Sequence, residues 1–356
     1  MTAHCDSLFT DDREASNCAA MGKQPVVSVL MLTYNHAAYV AEAIASVLMQ
    51  KTTFAFELII GEDASTDATR EIVMNCQREA PAIIRVIAHD RNVGMHANHA
   101  SLINAARGEL IAYCEGDDYW IDPLKLQHQV DYLQAHPEAG AVHTDFDHVV
   151  LRGGSWRRLP NCQKHRFSGR EVPAGNIFTT LLCGNFIQTC TLCVRTCLSR
   201  DLLAGGFYKE SYPVGDWPMC LYIAAKHEVG YLTKSTATYR KVPGSMMNAG
   251  EVVRLNTIMR YVPMIEDFCI HFDVARVNQL KAMSAIYRPM LSTALFAGDQ
   301  AAFRHSLAWL RQHDPDYANS WRGKLLPWLR VSAVACRILR WIQEARVQRH
   351  ESQDYQ

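Results

Sequence analysis

The sequence predicts an α/β fold, with a mixed sheet flanked by helices in its N-terminal part and a mainly helical C-terminal extension. Three observations lead to this prediction. Apolar runs rich in β-branched residues alternate with segments of helical periodicity between residues 25 and 120. Polar clusters follow three of those runs directly. Apolar residues at helical spacing then dominate from residue 251 onward.

Four short apolar runs predict the strands of a sheet whose parallel crossovers are right-handed. The strands are predicted at residues 25–32, 56–60, 83–87 and 109–113. Helical spacing predicts the intervening helices at residues 39–49, 67–79 and 95–106. Ser65 or Thr66 is expected to cap the second of these helices, because a hydroxyl oxygen can accept from the free amides of its first turn.

The length of 356 residues allows about two domains of roughly 150 residues each. Residues 1–24 are polar and aperiodic and are expected to be a flexible lead. Residues 25–250 are expected to form the sheet domain, and residues 251–356 the helical region. Asp314-Pro315 and Leu326-Pro327 are expected to break its helices, since proline removes a backbone donor.

The composition excludes several classes of protein. The formal net charge is zero, so the chain lacks the basic field of a nucleic-acid-binding protein. It has no uninterrupted apolar run of about 18 residues, so no transmembrane helix is predicted. No basic and apolar leader opens the chain, and the 12 cysteines are interpreted as reduced thiols in the cytoplasm. Cys190 and Cys193 lack the second pair that a zinc site needs.

The polar clusters lie where an α/β sheet places its ligands, beyond the carboxyl ends of strands. They are Thr33-Tyr34-Asn35, Glu62-Asp63 and Glu115-Gly116-Asp117-Asp118. Glu115 and Asp117 are two residues apart, so at an extended strand end they would face one side. They could hold Mg²⁺ or Mn²⁺ together with diphosphate oxygens, or they could form a solvated acidic turn. These residues alone leave both readings open.

Four segments together resemble the family-2 glycosyltransferases of the GT-A fold. They are 27–35, 57–67, 92–94 and 106–118, and the resemblance extends over roughly residues 25–245. It implies a Rossmann-like sheet, a nucleotide-sugar donor, a divalent metal and inversion at the anomeric carbon. The run from residue 115 to 133 resembles a bacterial branch that assembles surface polysaccharides. Glutamate replaces the commoner aspartate at Glu62 and Glu115, which lengthens the reach of both carboxylates.

The resemblance also implies roles for particular residues. It assigns the donor nucleotide to Thr33, Tyr34, Asn35, Glu62, Asp63, Asn92, Gly94 and Asp118, and the Mn²⁺ or Mg²⁺ ion to Glu115 and Asp117. Asp216 is expected to be the catalytic base, because the family places an acid at a helix start in this region. Without the resemblance, a helix cap is the favoured interpretation of Asp216. Arg240 and Lys241 are expected to contact the diphosphate, although the usual histidine is absent and a solvated basic loop is the alternative.

The expected activity is therefore transfer of a sugar, with UDP the commonest carrier, onto a surface glycan or lipid-linked glycan acceptor. Two alternatives remain at this stage. One is a nucleotide-sugar-binding regulatory subunit without catalysis. The other is a nucleotidyltransferase, which would also use a carboxylate-bound metal. A dinucleotide oxidoreductase is excluded, because no Gly-x-Gly-x-x-Gly follows the first strand.

Two further expectations concern residues outside these motifs. Residues 322–349 combine seven cations, five of them before Glu344, with an apolar helical stripe, which suits peripheral contact with the cytoplasmic face of the inner membrane. Docking on the protein or on a second copy is the alternative. Four histidines are expected to be surface or capping residues rather than metal ligands: His96, His99, His143 and His148.

Overall fold

The computed structural model describes residues 24–152, 155–168, 170–242 and 250–320. The chain divides into two compact units, residues 1–245 and 246–356. The first unit is built on a nine-stranded sheet with helices packed against it. The described part of the second unit is helical. The predicted fold class, a mixed sheet with flanking helices and a helical C-terminal region, is confirmed.

The strands of the first unit fall where the apolar runs predicted them, and five more follow. The nine strands are β1 (Val27–Thr33), β2 (Phe56–Glu62), β3 (Ile84–Ala88), β4 (Leu110–Tyr113), β5 (Tyr119–Trp120), β6 (Ala139–Arg152), β7 (Ser155–Leu159), β8 (Cys193–Arg195) and β9 (Glu228–Lys241). All seven residues of β2 and six of the seven in β1 are buried. Burial on both faces is why these central strands read as continuous apolar runs.

The sheet is parallel at one side and contains antiparallel pairs at the other. Its strand order is β3-β2-β1-β4-β8-β6-β9-β5, with β7 paired to β6 at the side. β3, β2, β1 and β4 are parallel, so their carboxyl ends meet at one edge. β8 runs antiparallel to both β4 and β6, whereas β6 and β9 are parallel to each other. The loops after β1, β2 and β4 therefore converge on one face of the unit.

Eight helices connect these strands. They are α1 (Val40–Leu48), α2 (Thr69–Glu79), α3 (Met95–Ala105), α4 (Lys125–Ala135), α5 (Cys162–Arg166), α6 (Phe178–Leu182), α7 (Thr196–Ala204) and α8 (Asp216–Ala224). A 3₁₀ turn at Thr189–Thr191 precedes β8. The apolar side of α1 is packed against β1 and β2, with Val40, Ile44 and Val47 fully buried. Burying three such side chains contributes about 5–9 kcal/mol before entropy is counted.

The structure corrects two local predictions. Ser65 and Thr66 do not cap α2, which begins at Thr69 after Ala68. Asp67 serves that end instead, since its Oδ1 accepts from the amide of Thr69 at 2.9 Å. β2 also runs two residues further than predicted and includes Glu62. The cause in both cases is that the turn is held by contacts to β1, which local sequence does not encode.

The second unit contains four helices in its described part, α9 (Glu251–His271), α10 (Arg276–Ala297), α11 (Gln300–His313) and α12 (Pro315–Asn319). The predicted break at Asp314-Pro315 is confirmed, and Asp314 Oδ1 accepts from the amide of Tyr317 at 3.3 Å. No helix within residues 250–320 or the described part of the first unit is long and apolar enough to span a bilayer. Three predictions lie outside the described residues. They are the flexible lead, of which only residue 24 is described, the membrane-contact segment at 322–349 and the break at Leu326-Pro327.

Candidate active site

A cavity of about 470 Å³ opens where the loops after β1 and β4 meet the starts of α3 and α8. This volume is within the range of small-molecule sites. Eight of the residues proposed from sequence line it together: Thr33, Tyr34, Asp63, Asn92, Gly94, Glu115, Asp117 and Asp216. The remaining five proposed residues, Asn35, Glu62, Asp118, Arg240 and Lys241, do not line it. The proposed residues thus fall into two groups, those that line the cavity and can contact a ligand and those that do not line it.

One end of the cavity is formed by the loop after β1 and the loop before α3. Tyr34 leaves 43% of its surface exposed there, so its ring is accessible to a planar ligand. Asp63 is buried, and its two carboxylate oxygens accept from the amides of Val93 at 2.7 Å and Gly94 at 3.0 Å. Gly94 has a φ of +84°, which favours glycine. Asp63 therefore fixes the shape of the wall that carries Asn92 and Gly94.

Asn35 and Glu62 brace this wall from behind. Asn35 adopts a left-handed φ of +58°, and its Oδ1 accepts from the amide of Thr66 at 2.9 Å. Glu62 is fully buried and accepts from the amide of Ser65 at 2.7 Å and from Nε of Arg70 at 2.5 Å. Burial works to raise the pKa of Glu62, but the bonds to Ser65 and Arg70 outweigh it and the pKa is lowered. Glu62 is thus an ionised anchor in a structural turn.

The acidic turn after β4 lies at the other end of the cavity. The amide of Asp118 donates to the carbonyl of Glu115 at 3.0 Å, which closes the turn. Glu115 and Asp117 both face the cavity and are half-buried. Burial raises the pKa of Glu115 to about 8, and the charges of Asp117 and Asp216 add to that shift. The negative charges of Asp117 and Asp216 thus both act on Glu115 in this cavity.

The acidic turn fits a divalent cation by one specific observation. Oε2 of Glu115 is buried and has no hydrogen-bond partner among the described residues. An unpartnered buried carboxylate oxygen is costly unless a cation or ligand donor satisfies it. No cluster of three or more His, Cys, Asp or Glu residues within the described ranges is arranged to hold a metal. Glu115 and Asp117 would therefore need oxygens from a bound phosphate to complete a coordination shell.

Gly116 allows this turn to pack directly on the end of β1. Its amide donates to the carbonyl of Leu32 at 3.0 Å. A Cβ at this position would lie 2.6 Å from Cγ2 of Thr33 and 2.8 Å from Nδ1 of His36. Both distances are shorter than van der Waals contact, so a side chain here must displace the turn or its neighbours.

Replacing Gly116 by Ala is expected to lower the free energy of unfolding by about 1–3 kcal/mol, because the added methyl overpacks the contact with Thr33. Urea denaturation would measure the loss. Gly116→Val should cost more than Gly116→Ala, since the clash grows with side-chain size. Equal stability of the wild type and both variants would show that the turn can move away freely.

Arg240 and Asp118 hold the outer side of the acidic turn. Oδ1 of Asp118 accepts from the amide of Arg240 at 2.9 Å, and Nη1 of Arg240 donates to the carbonyl of Asp117 at 2.8 Å. Nη2 of Arg240 donates to Glu42 at 2.5 Å. The guanidinium lies within 6 Å of three aromatic rings, those of Tyr39, Tyr119 and Trp156. Burial and the charges of Asp117 and Glu115 raise the pKa of Asp118.

Arg240→Lys is expected to lower the free energy of unfolding by about 2–3 kcal/mol, because lysine cannot bond Glu42 and the Asp117 carbonyl together while keeping the ring contacts. Chemical denaturation would measure it, with exposed Arg78→Lys as the matched control, expected to change stability by less than about 0.5 kcal/mol. Unchanged stability combined with weaker binding of a nucleoside diphosphate would make Arg240 a ligand contact instead.

Asp216 is the first residue of α8 and faces the acidic turn across the cavity. Its Oδ1 accepts from the amide of Trp217 at 2.8 Å, and its Oδ2 accepts from Nδ2 of Asn185 at 3.0 Å and from Oγ1 of Thr189 at 3.5 Å. Burial raises the pKa of Asp216, and these hydrogen bonds oppose the rise. A carboxylate held at a cavity wall with a raised pKa is suited to accept a proton.

The cavity residues that were not proposed as site residues from the sequence include His99, Tyr113, Thr189 and Tyr208. Nδ1 of His99 lies 2.5 Å from Oη of Tyr208. Tyr208 packs on Gly215, where a Cβ would lie 2.2 Å from its hydroxyl. Burial lowers the pKa of His99 to about 3, with the charge of His96 adding to the effect, so the imidazole is neutral at physiological pH. The cavity wall beside Asp216 is therefore polar but uncharged.

The expectation that the four histidines are surface or capping residues is wrong for two of them. His99 and His143 are both buried. His143 packs between the rings of Phe186 and Tyr231, with centroid distances of 5.8 and 5.0 Å. The only signal for His99 in the sequence was its spacing on α3, which places it on the side that packs on the sheet. Tyr208 lies in a loop without periodicity and gave no signal.

The family model for glycosyl transferase family 2 matches residues 28–198. These residues contain the first strands, the acidic turn and the wall braced by Asp63. Residues 28–198 therefore match the family-2 glycosyltransferases, and the fold of the first unit is GT-A. The resemblance stated from the sequence is confirmed.

Individual proteins are also similar to this chain in sequence or in fold. An uncharacterized protein of Mycobacterium tuberculosis is 35% identical over 219 residues, which cover 60% of this chain and 58% of that protein. The chain thus spans little more than half the length of this curated relative. Residues 1–349 of S. aureus TarS, solved with UDP-GlcNAc, match with a TM-score of 0.50 and 18% identity over 80% of this chain and 91% of that one.

A second solved structure has the same fold. It is the mannosyltransferase PcManGT from Pyrobaculum calidifontis in complex with GDP-Man and Mn²⁺. The match has a TM-score of 0.50 and 16% identity, and it covers 90% of this chain and 88% of that chain. At such low identity the two structures establish the fold alone.

Proposed function

We propose that this protein is an inverting, metal-dependent glycosyltransferase that moves a sugar from a nucleotide-diphosphate donor to a glycan or lipid-linked glycan acceptor. The observation that carries the proposal is that Glu115 and Asp117 line the same cavity as Asp216. A metal-binding pair and a separate base are the two elements that a one-step displacement needs. The match of residues 28–198 to glycosyl transferase family 2 supports the reaction class.

The donor would lie along the length of the cavity. The nucleoside end would lie against the wall that Asp63 shapes. The residues that would hold it are Thr33, Tyr34, Asn92 and Gly94. Asn35, Glu62, Asp118 and Arg240 would act as positioning residues, because their polar atoms bond to other protein groups. Lys241 pairs with Val150 between β9 and β6 and does not line the cavity. A diphosphate contact from Lys241 stays a prediction.

The diphosphate end would reach the acidic turn. Glu115 and Asp117 would hold a Mn²⁺ or Mg²⁺ ion, which neutralises the negative charge that develops on the leaving nucleoside diphosphate. The unpartnered Oε2 of Glu115 supports this assignment. Uridine is the base we propose for the donor, and the TarS complex with UDP-GlcNAc shows that this fold accommodates such a donor.

Asp216 would act on the acceptor. Its free lone pairs would accept the proton of an acceptor hydroxyl while that oxygen forms a bond to the anomeric carbon and the bond to the diphosphate breaks. Asn185 and Thr189 would fix the carboxylate through their hydrogen bonds to Oδ2. Attack from the face opposite the leaving group gives inversion, and no covalent intermediate with the protein is required.

A donor screen tests this function. Purified protein would be mixed with UDP-, GDP- and dTDP-sugars and Mn²⁺ without acceptor, and donor binding and slow hydrolysis recorded. We expect one donor class to bind and to release its nucleoside diphosphate, with release abolished by EDTA. In a parallel mixture of a nucleoside triphosphate and a sugar 1-phosphate, release of pyrophosphate would identify a nucleotidyltransferase. Binding without any turnover, even with a panel of glycan acceptors, would favour a non-catalytic subunit.

A further inference from the structure

A strongly basic segment lies beside the cavity and has no role in the site described above. No Asp or Glu occurs between Asp147 and Glu171. We call residues 155–168 together with Arg170 the basic segment; it comprises β7, α5 and the residues that follow α5. Five of its cationic side chains are exposed: Arg157, Arg158, Lys164, Arg166 and Arg170. The whole chain has a net charge of zero, so this concentration of charge is local.

The nearest carboxylates lie beneath the segment and are used internally. Asp145 is fully buried, and its Oδ1 accepts from the amide of Gln163 at 2.9 Å, at the start of α5. Asp147 is fully buried as well and accepts from the amide of Asn161 at 3.0 Å and from Oγ of Ser235 at 2.6 Å. Asp147 also pairs with Arg158. The outward face of the segment thus keeps an excess of positive charge.

One end of the basic segment is connected to the proposed catalytic base. Nη1 and Nη2 of Arg166 each donate to the carbonyl of Asn185 at 3.4 Å. The side-chain amide of Asn185 in turn donates to Asp216 at 3.0 Å. In this chain of hydrogen bonds, Asn185 is therefore the only residue between Arg166 and the carboxylate of Asp216, which would accept the proton of the acceptor hydroxyl.

The other end of the segment is next to the acidic turn. The ring of Trp156 lies 6.4 Å from the ring of Tyr39 and 5.8 Å from the guanidinium of Arg240. Arg240 donates to the carbonyl of Asp117. The side chain of Trp156 is 42% exposed in spite of these contacts. The basic segment therefore flanks both Asp117 and Asp216, and a chain bound along it would pass the reaction centre.

We propose that the basic segment binds the acceptor and that the acceptor is an anionic glycan, one that carries carboxylate or phosphate groups along its chain. This inference rests on the proposed function and specifies its acceptor. Arginine forks match carboxylate and phosphate oxygens in geometry as well as in charge. Arg158 is paired with Asp147, which leaves four exposed cations. A neutral glycan can form no charge pair with them, whereas an anionic glycan can pair with each.

The test compares two charge-depleted proteins of equal net charge. In the segment variant, Arg157, Lys164, Arg166 and Arg170 are replaced by Gln. In the control variant, the exposed cations Lys51, Arg78, Arg304 and Arg311 are replaced by Gln. The probes are fluorescein-labelled hexagalacturonate and the same oligosaccharide with its carboxylates methyl-esterified. Anisotropy titrations are run at low and high NaCl, and thermal melts check that both variants fold.

We expect hexagalacturonate to bind the wild type and the control variant alike and the segment variant about 10–100-fold more weakly, since the segment variant loses four exposed charge contacts of modest strength. High salt should remove most of the difference. The esterified probe should bind all three proteins weakly. Equal binding of both probes, or equal loss in both variants, would overturn the proposal.

Two further measurements separate other outcomes. Vesicles with and without anionic lipid are sedimented with each protein, and segment-dependent binding to anionic vesicles without any effect on hexagalacturonate would make this surface a membrane contact instead. Donor hydrolysis without acceptor is measured for all three proteins. Absence of hydrolysis in the wild type is a failure of the proposed function, whereas normal hydrolysis with charge-independent glycan binding is a failure of this inference alone.

Discussion

Asp216→Asn is expected to lower kcat for sugar transfer by about 10²–10⁴-fold, the range that a positioned general base contributes. Asparagine keeps the shape of the side chain and can still accept from the amide of Trp217 through its carbonyl oxygen. Donor affinity should therefore be almost unchanged. Calorimetric binding of the donor and steady-state transfer assays would measure the two quantities separately.

The control for this change is Asp201→Asn, an exposed aspartate on α7 that does not line the cavity. It should leave both transfer and binding as in the wild type. Asn185→Ala provides an intermediate case, because it removes one hydrogen bond to Asp216 without removing the carboxylate. If Asp216→Asn transferred sugar at the wild-type rate, another group would have to accept the proton and Asp216 would be a helix-terminal residue only.

Asp117→Ala is expected to reduce metal-stimulated turnover of the donor by about 10²–10³-fold, because the variant loses one of the two carboxylates that would hold the cation. The fold should survive, since the contact that Asp117 makes with Arg240 uses its backbone carbonyl. The measurement is donor hydrolysis across a Mn²⁺ titration. We expect the activity that remains to require more metal.

Asp90→Ala is the matched control, because Asp90 is an exposed aspartate outside the cavity. Its metal titration should overlay that of the wild type. A wild type that is fully active in EDTA, together with an Asp117→Ala variant of normal activity, would remove the metal from the mechanism. The acidic turn would then serve only to shape the cavity.

The parallel half of the fold could be predicted from the sequence because its strands are buried on both faces. β1 and β2 read as unbroken apolar runs, and their polar ends could be placed at the carboxyl edge of a sheet. β6 and β9 escaped prediction although each has 14 residues. β6 carries Asp145 and Asp147 at alternate positions, and their burial depends on partners in α5 and β9 that lie far away in sequence.

The candidate site was likewise predictable from the sequence only in part. Residues in a local motif, such as Glu115 and Asp117, could be proposed from their spacing, and the structure brings them to the cavity. The distinction between lining and bracing residues could not be predicted, because it depends on which protein groups already occupy their polar atoms. Arg240 shows this, since Glu42, Tyr119 and Trp156 come from three separate parts of the chain.

The proximity of three carboxylates has a consequence for how the enzyme's pH dependence must be read. Asp117 and Asp216 both raise the pKa of Glu115, so ionising any one of them makes the next proton harder to remove. Protons then leave in macroscopic steps that belong to the cluster and not to single residues. An acidic limb in a rate profile could not be assigned to Asp216 by its midpoint alone. Removing Asp117 or Asp216 should lower the pKa of Glu115, and the size of that change would measure the electrostatic coupling between the carboxylates.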